Sequence, residues 1–236
     1  MHVYDHQRSQ WGLGDAFIAL GIFFAMSIAF GFVFFFAEGE DATLSGPWLP
    51  LLIVGPALCQ FGYVVTIARQ KGRGVFEDFR AGFTWSDFAV GAALCISALI
   101  LAGITATIMI ELTGDEGSAA VADLLEDSEE SGGLTVWIYL MAFFGATVIP
   151  VAEEVLFRGL WWSALEKRGV NQWATLAITS VVFAAVHLEP WRTPVLIVLG
   201  AVIGVGRIAT GRIGASIAAH MYVNAIGMIF LLIELS

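Results

Sequence analysis

Seven apolar stretches, each near the length needed to cross a bilayer, take up most of this chain: Ala16–Ala37, Trp48–Ala68, Phe88–Ile110, Leu134–Leu165 (overlong), Trp173–His187, Pro194–Ala209 and Ile213–Leu235. Nothing else in the sequence restricts the fold so tightly. A helix crossing the hydrocarbon core needs about 20 apolar residues. In lipid every backbone N–H and C=O must be satisfied by the protein itself, so separate apolar stretches cross as helices. The connections are too short for a soluble domain, and charged residues make up only 14% of the chain, against roughly a quarter in soluble domains. The expectation is an all-α, polytopic transmembrane helical bundle of about seven spans, with residues 1–236 forming a single integral-membrane domain. No internal repeat stands out. The first stretch is too long for a signal-peptide core and no small-residue cleavage site follows it, so it is expected to stay as span one.

Basic residues set the orientation of such a bundle. Arg8, then Arg69, Lys71, Arg73 and Arg80, then Lys167 and Arg168, then Arg207 and Arg212 fall on alternate connections, whereas the intervening ones hold only Arg192. This predicts an N-terminus in the cytoplasm, a C-terminus outside and residence in the cell membrane. All eight tryptophans fall near expected span ends, as an interfacial belt requires. The connection Glu111–Gly133 carries eight carboxylates and no base, much of the acid behind the net charge of −10. A run of this kind reads as a solvated outer surface. The basic connections suit anionic lipid, and nothing points to nucleic acid.

Along the chain, His2 and His6 share a helical spacing, but a fraying terminus makes a poor metal site. Pro56 and Gln60 in span two read as a kink with a local hydrogen bond. In the connection Gln70–Asp87, the amphipathic piece Val75–Arg80 is expected at the membrane surface. Gly91, Ala92, Ala93, Ser97 and Ala98 in span three suit close helix packing. Cys59 and Cys95 sit in apolar runs and read as packing residues rather than as a disulfide or metal pair.

Three ionisable residues interrupt this pattern at bilayer depth. Glu153, Glu154 and Arg158 lie in span four, just after Pro150, which is expected to kink that helix. A charge at the bilayer centre costs ~2.5–3.5 kcal/mol on insertion scales. Glu154 and Arg158 stand four apart, acid first, the favoured order for a pair on one helix face. Glu153 lies ~100° around the helix and has no partner at that spacing. Two later stretches offer polar company: Phe183-Ala-Ala-Val-His187 at the end of span five, and His220-Met-Tyr-Val-Asn224 in span seven. Intramembrane groups of this kind mark functional sites by default.

The patterns EExxxR, FxxxH and HxxxN, in that order on separate apolar stretches, resemble the CPBP family of intramembrane proteases. This is the CAAX protease and bacteriocin-processing group, also called Abi proteins, whose eukaryotic relatives are the type II CAAX prenyl endopeptidases. The resemblance covers about residues 134–236 and implies a hydrolase, an intramembrane glutamic endopeptidase acting on a peptide or membrane-protein substrate without a metal. By resemblance, Glu153 and His187 would activate water, His220 and Asn224 would form the oxyanion site, and Glu154 and Arg158 would support the helix. The chemistry is coherent: hydrolysis needs a base for water and donors for the oxyanion.

Other readings compete. Zinc held by Glu153, His187 and His220 is an alternative cofactor arrangement, although no HExxH is present. A non-catalytic immunity or adaptor protein would use the same residues as structural hydrogen bonds. A proton-coupled transporter would use them as a relay, but paired inverted repeats are missing. One tension concerns depth. His187 lies ~21 Å beyond Trp173, but His220 lies only ~12 Å beyond Arg212. For the two to meet, either span five begins below the membrane surface or its connection to span six dips inward.

Overall fold

The computed structural model of the protein describes residues 9–39, 44–114 and 135–236. His2, His6 and Arg8, residues 115–133 of the acidic connection and Leu134 lie outside the described residues. Helix is the only regular structure among the described residues. It runs as α1 (Leu13–Glu38), α2 (Trp48–Gln70), α3 (Val75–Asp78), α4 (Trp85–Thr113), α5 (Val136–Ala146), α6 (Val148–Glu154), a π-helical segment (Val155–Trp161), α7 (Trp162–Glu166), α8 (Gln172–Val186), α9 (Thr193–Thr210) and α10 (Gly214–Glu234). Taking α5 to α7 as one rod, six of these are long and apolar enough to cross a membrane, and the 15-residue α8 is shorter. Together they make up the expected all-α bundle of about seven spans, and the chain is an integral membrane protein.

Close backbone contact draws the helices of the second half together. A Cβ on Gly91 of α4 would stand 2.6 Å from Ala218 Cβ and 2.9 Å from the Ala219 nitrogen of α10. A Cβ on Gly206 of α9 would stand 2.8 Å from the Ser216 nitrogen. Only glycine permits such approaches, and in lipid tight packing takes over from the hydrophobic effect as the associating force. Of the small residues in span three, Gly91 and Ala98 are buried, in one stripe with Cys95 and Ala102, while Ala92, Ala93 and Ser97 face outward. Helical periodicity selects these positions from the small-residue run. Cys59 and Cys95 are both free thiols. Gln60 is buried and donates to the Ala19 carbonyl at 3.2 Å, tying α2 to α1.

At the end of the bundle that carries the basic connections, polar groups are buried rather than splayed into solvent. Asp78 accepts from Trp11 Nε1 at 3.0 Å and from the Arg73 nitrogen at 2.8 Å. Lys167 donates to the Ser9 and Trp11 carbonyls and lies over the Trp11 ring. The stretch Val75–Arg80, expected at the membrane surface, divides: Phe76 is exposed, but Asp78 and Phe79 are buried against the bundle. The tryptophan belt divides in the same way. Trp85 and Trp173 are exposed, whereas Trp11, Trp161 and Trp162 are core residues. Trp11 and Trp162 each find a carboxylate for the indole N–H, at Asp78 and at Glu166.

Span four is broken where Pro150 predicts. Thr147 leaves helical geometry at φ −124°, ψ −65°, separating α5 from α6. Immediately after Glu154 the chain widens into the π-helical segment, all seven residues of which are buried. Segments of this kind recur at functional sites. The two histidines meet despite the depth tension, since the Phe183 ring lies against both. Trp173, at the start of α8, is exposed. Ile213 and Gly214 are buried, and the Ile213 N–H donates to the Arg80 carbonyl. The first turn of α10 is therefore packed inside the bundle, and His220, two turns on, reaches Glu153 and Glu154 at the end of α6.

Candidate active site

Glu154 and Arg158 are the most enclosed members of the site. The Glu154 side chain is fully buried, and one oxygen, Oε1, accepts from Arg158 Nη1 at 2.8 Å and from His220 Nδ1 at 2.9 Å. The i,i+4 pairing expected from sequence is thus present, with His220 from α10 as a second partner. Arg158 is equally buried. Its Nη2 donates to the Gly200 carbonyl of α9, and its Cζ lies 5.4 Å from the centre of the Phe183 ring. Room for the guanidinium comes from Gly204, where a Cβ would stand 3.3 Å from Arg158 Nε. A buried ion pair survives only when further hydrogen bonds offset desolvation, and here α9 and α10 each contribute one.

Glu153 is different. About a fifth of its side chain is exposed, and its Oε2 lies 3.4 Å from His220 Nε2. His220 therefore stands between the two adjacent glutamates, with Nδ1 toward Glu154 and Nε2 toward Glu153. The bond to Glu154 fixes the ring, because a carboxylate paired with arginine can only accept, so Nδ1 carries the proton. That orientation leaves Nε2 facing the accessible carboxylate.

His187 is half-buried at the end of α8, where its Nδ1 lies 2.7 Å from the Phe183 carbonyl. The Phe183 ring links the two histidines: its centre is 4.7 Å from the His187 ring and 5.8 Å from the His220 ring. Asn224 stands one turn beyond His220 on α10 and donates from Nδ2 to the Gly145 carbonyl at 3.0 Å. That carbonyl lies at the break in span four, so Asn224 caps a backbone group the break leaves open. One of the two amide hydrogens remains for another acceptor. Glu153, Glu154, Arg158 and His220 thus form one contiguous cluster. His187 joins it through Phe183, and Asn224 through α10 and the α5–α6 break. Among the described residues, no three His, Cys, Asp or Glu side chains are disposed to hold a metal ion.

Sequence alone missed the Gly200 carbonyl, the Gly204 recess and the Gly145 carbonyl. A backbone acceptor has no residue signature. The Gly200–Gly204 spacing on one face of α9 was the available sign of a close approach there.

Residues 135–226 match the family model for type II CAAX prenyl endopeptidase Rce1-like proteins. No curated protein and no solved structure matches the chain.

Proposed function

We propose that this chain, whose residues 135–226 match the family model for Rce1-like type II CAAX prenyl endopeptidases, is an intramembrane endopeptidase that hydrolyses a peptide or membrane-protein segment with glutamate-activated water. The observation that carries the proposal is the division between the two adjacent glutamates. Glu154 is sealed between Arg158 and His220 Nδ1, while Glu153 is partly accessible and faces His220 Nε2. One carboxylate is spent on structure and the other is open to water.

In this reading Glu153 takes a proton from water as the oxygen adds to the scissile carbonyl carbon, and His187 holds the same water. The carbonyl π pair becomes an oxyanion. His220 Nε2 and the second Asn224 amide hydrogen donate to it. His220 can do so only with both ring nitrogens protonated, since Nδ1 is committed to Glu154. Collapse of the intermediate breaks the C–N bond, and the proton held by Glu153 passes to the leaving amine. Each donor removed from such a site costs on the order of 10²–10³ in rate.

The chemistry is read as metal-independent on the family resemblance and because the sequence holds no HExxH pattern. Cleavage by purified protein should survive phenanthroline. Loss on chelation with recovery on added zinc would recast Glu153, His187 and His220 as ligands. The functional test compares membrane peptides from cells making the wild-type protein with those from cells making Glu153→Gln at equal levels. Substrates should accumulate uncleaved with the variant. Identical peptide profiles would favour a non-catalytic adaptor.

A further inference from the structure

Three consecutive backbone carbonyls in the connection between α2 and α4 are each taken by a different span. The Asp78 carbonyl accepts from Ser163 Oγ of α7 at 3.3 Å. The Phe79 carbonyl accepts from Arg207 Nη1 of α9 at 2.6 Å. The Arg80 carbonyl accepts from the Ile213 N–H at the start of α10 at 3.1 Å. These rods are the ones that supply Glu153, Glu154 and Arg158, the Gly200 carbonyl, and His220 with Asn224. The side chain between them is fully buried: Phe79 packs edge-on to Trp11 and fills the recess at Gly159, where a Cβ would stand 3.1 Å from Phe79 Cβ. Gly159 lies in the π-helical segment, one residue after Arg158. Arg80 adopts the left-handed φ of +55°. A non-glycine residue rarely takes that conformation, and here it turns the Arg80 carbonyl to Ile213.

We propose that Asp78, Phe79 and Arg80 form a clasp that positions the site, setting the register of the π-helical segment against α9 and α10 so that Glu154, Arg158 and His220 meet. These residues lie outside the matched segment 135–226. The clasp reaches the reacting groups only through other residues, so these are positioning residues, and their value to catalysis rests on the protease reading above. A wedge at Gly159 and hydrogen bonds to three spans hold that register from both sides of the connection.

The test reads the His220 Nδ1–H directly, by NMR of the full chain labelled with 15N-histidine in micelles. In the wild type this proton is held by buried Glu154 and should be downfield and slow to exchange. Its absence there would overturn the geometry on which the clasp depends. Phe79→Ala should lose or shift the resonance, and Phe79→Leu should restore it. Leu49→Ala, in the separate cluster of Leu49, Ile138, Met141 and Leu235, serves as the stability control and should leave it in place. Where Phe79→Ala does not fold, Gly159→Ala replaces it, since its methyl group presses on the same ring. If a clasp variant keeps the wild-type resonance despite a loss of Tm equal to that of Leu49→Ala, the connection only stabilises and the proposal fails. A wild-type protein that cleaves nothing, yet shows the resonance respond to Phe79, would refute the protease reading and leave the clasp standing.

Discussion

Asn224 serves two purposes at the residue scale, and they separate experimentally. Its amide caps the Gly145 carbonyl at the break in span four, and in the proposed mechanism it also donates to the oxyanion. Asn224→Ala leaves that carbonyl open, which costs ~1–3 kcal/mol and should lower Tm. It should also lower the cleavage rate per folded molecule by ~10²–10³. A lower Tm with an unchanged rate per folded molecule would make Asn224 a cap only. Phe183 carries a comparable load, because its ring touches both histidines and faces the Arg158 guanidinium. The pattern FxxxH had singled it out without indicating what it does.

At the scale of elements, glycine decides how closely the helices approach. Gly206→Ala drives a Cβ against the Ser216 backbone nitrogen, 2.8 Å away, and backbone cannot step aside as a side chain can. Overpacking of this kind costs ~1–3 kcal/mol, so thermal unfolding in detergent should show a clear loss. Gly21→Ala, in α1 with open space around it, should show none. Equal Tm values for the two variants would contradict the α9–α10 contact. Apolar length was enough to place the spans, and the Glu154–Arg158 spacing was enough to pair those residues. Other features were hidden in the sequence. The π-helical turn, the buried start of α10 and the inward-packed Phe79 arise from tertiary contacts made by residues of ordinary type. Tryptophans near span ends misled for a related reason: an indole N–H suits interfacial water, but a buried carboxylate such as Asp78 or Glu166 satisfies it equally well.

At the scale of the whole molecule, the bundle has one basic end. Arg73, Arg80, Lys167, Arg207 and Arg212 gather there with Asp78, Asp87 and Glu166. By the positive-inside rule this end is expected in the cytoplasm. A single cysteine introduced in the connection Gln70–Asp87 should resist an impermeant thiol reagent applied to intact cells, and one introduced within Glu111–Gly133 should react, after Cys59 and Cys95 are replaced. The reverse pattern would invert the protein in the membrane. The central claim is that adjacent glutamates divide the work, and the cleavage rate per folded molecule of two variants tests it most directly. Glu153→Gln should insert, stay folded and lose ~10²–10⁴ in rate. Glu154→Gln should strand Arg158 in the core at a cost of ~3–5 kcal/mol, and its loss of activity should follow the loss of folded protein. A Glu154→Gln protein that is inactive at wild-type Tm, beside a Glu153→Gln protein that retains substantial activity, would contradict the account and exchange the two roles.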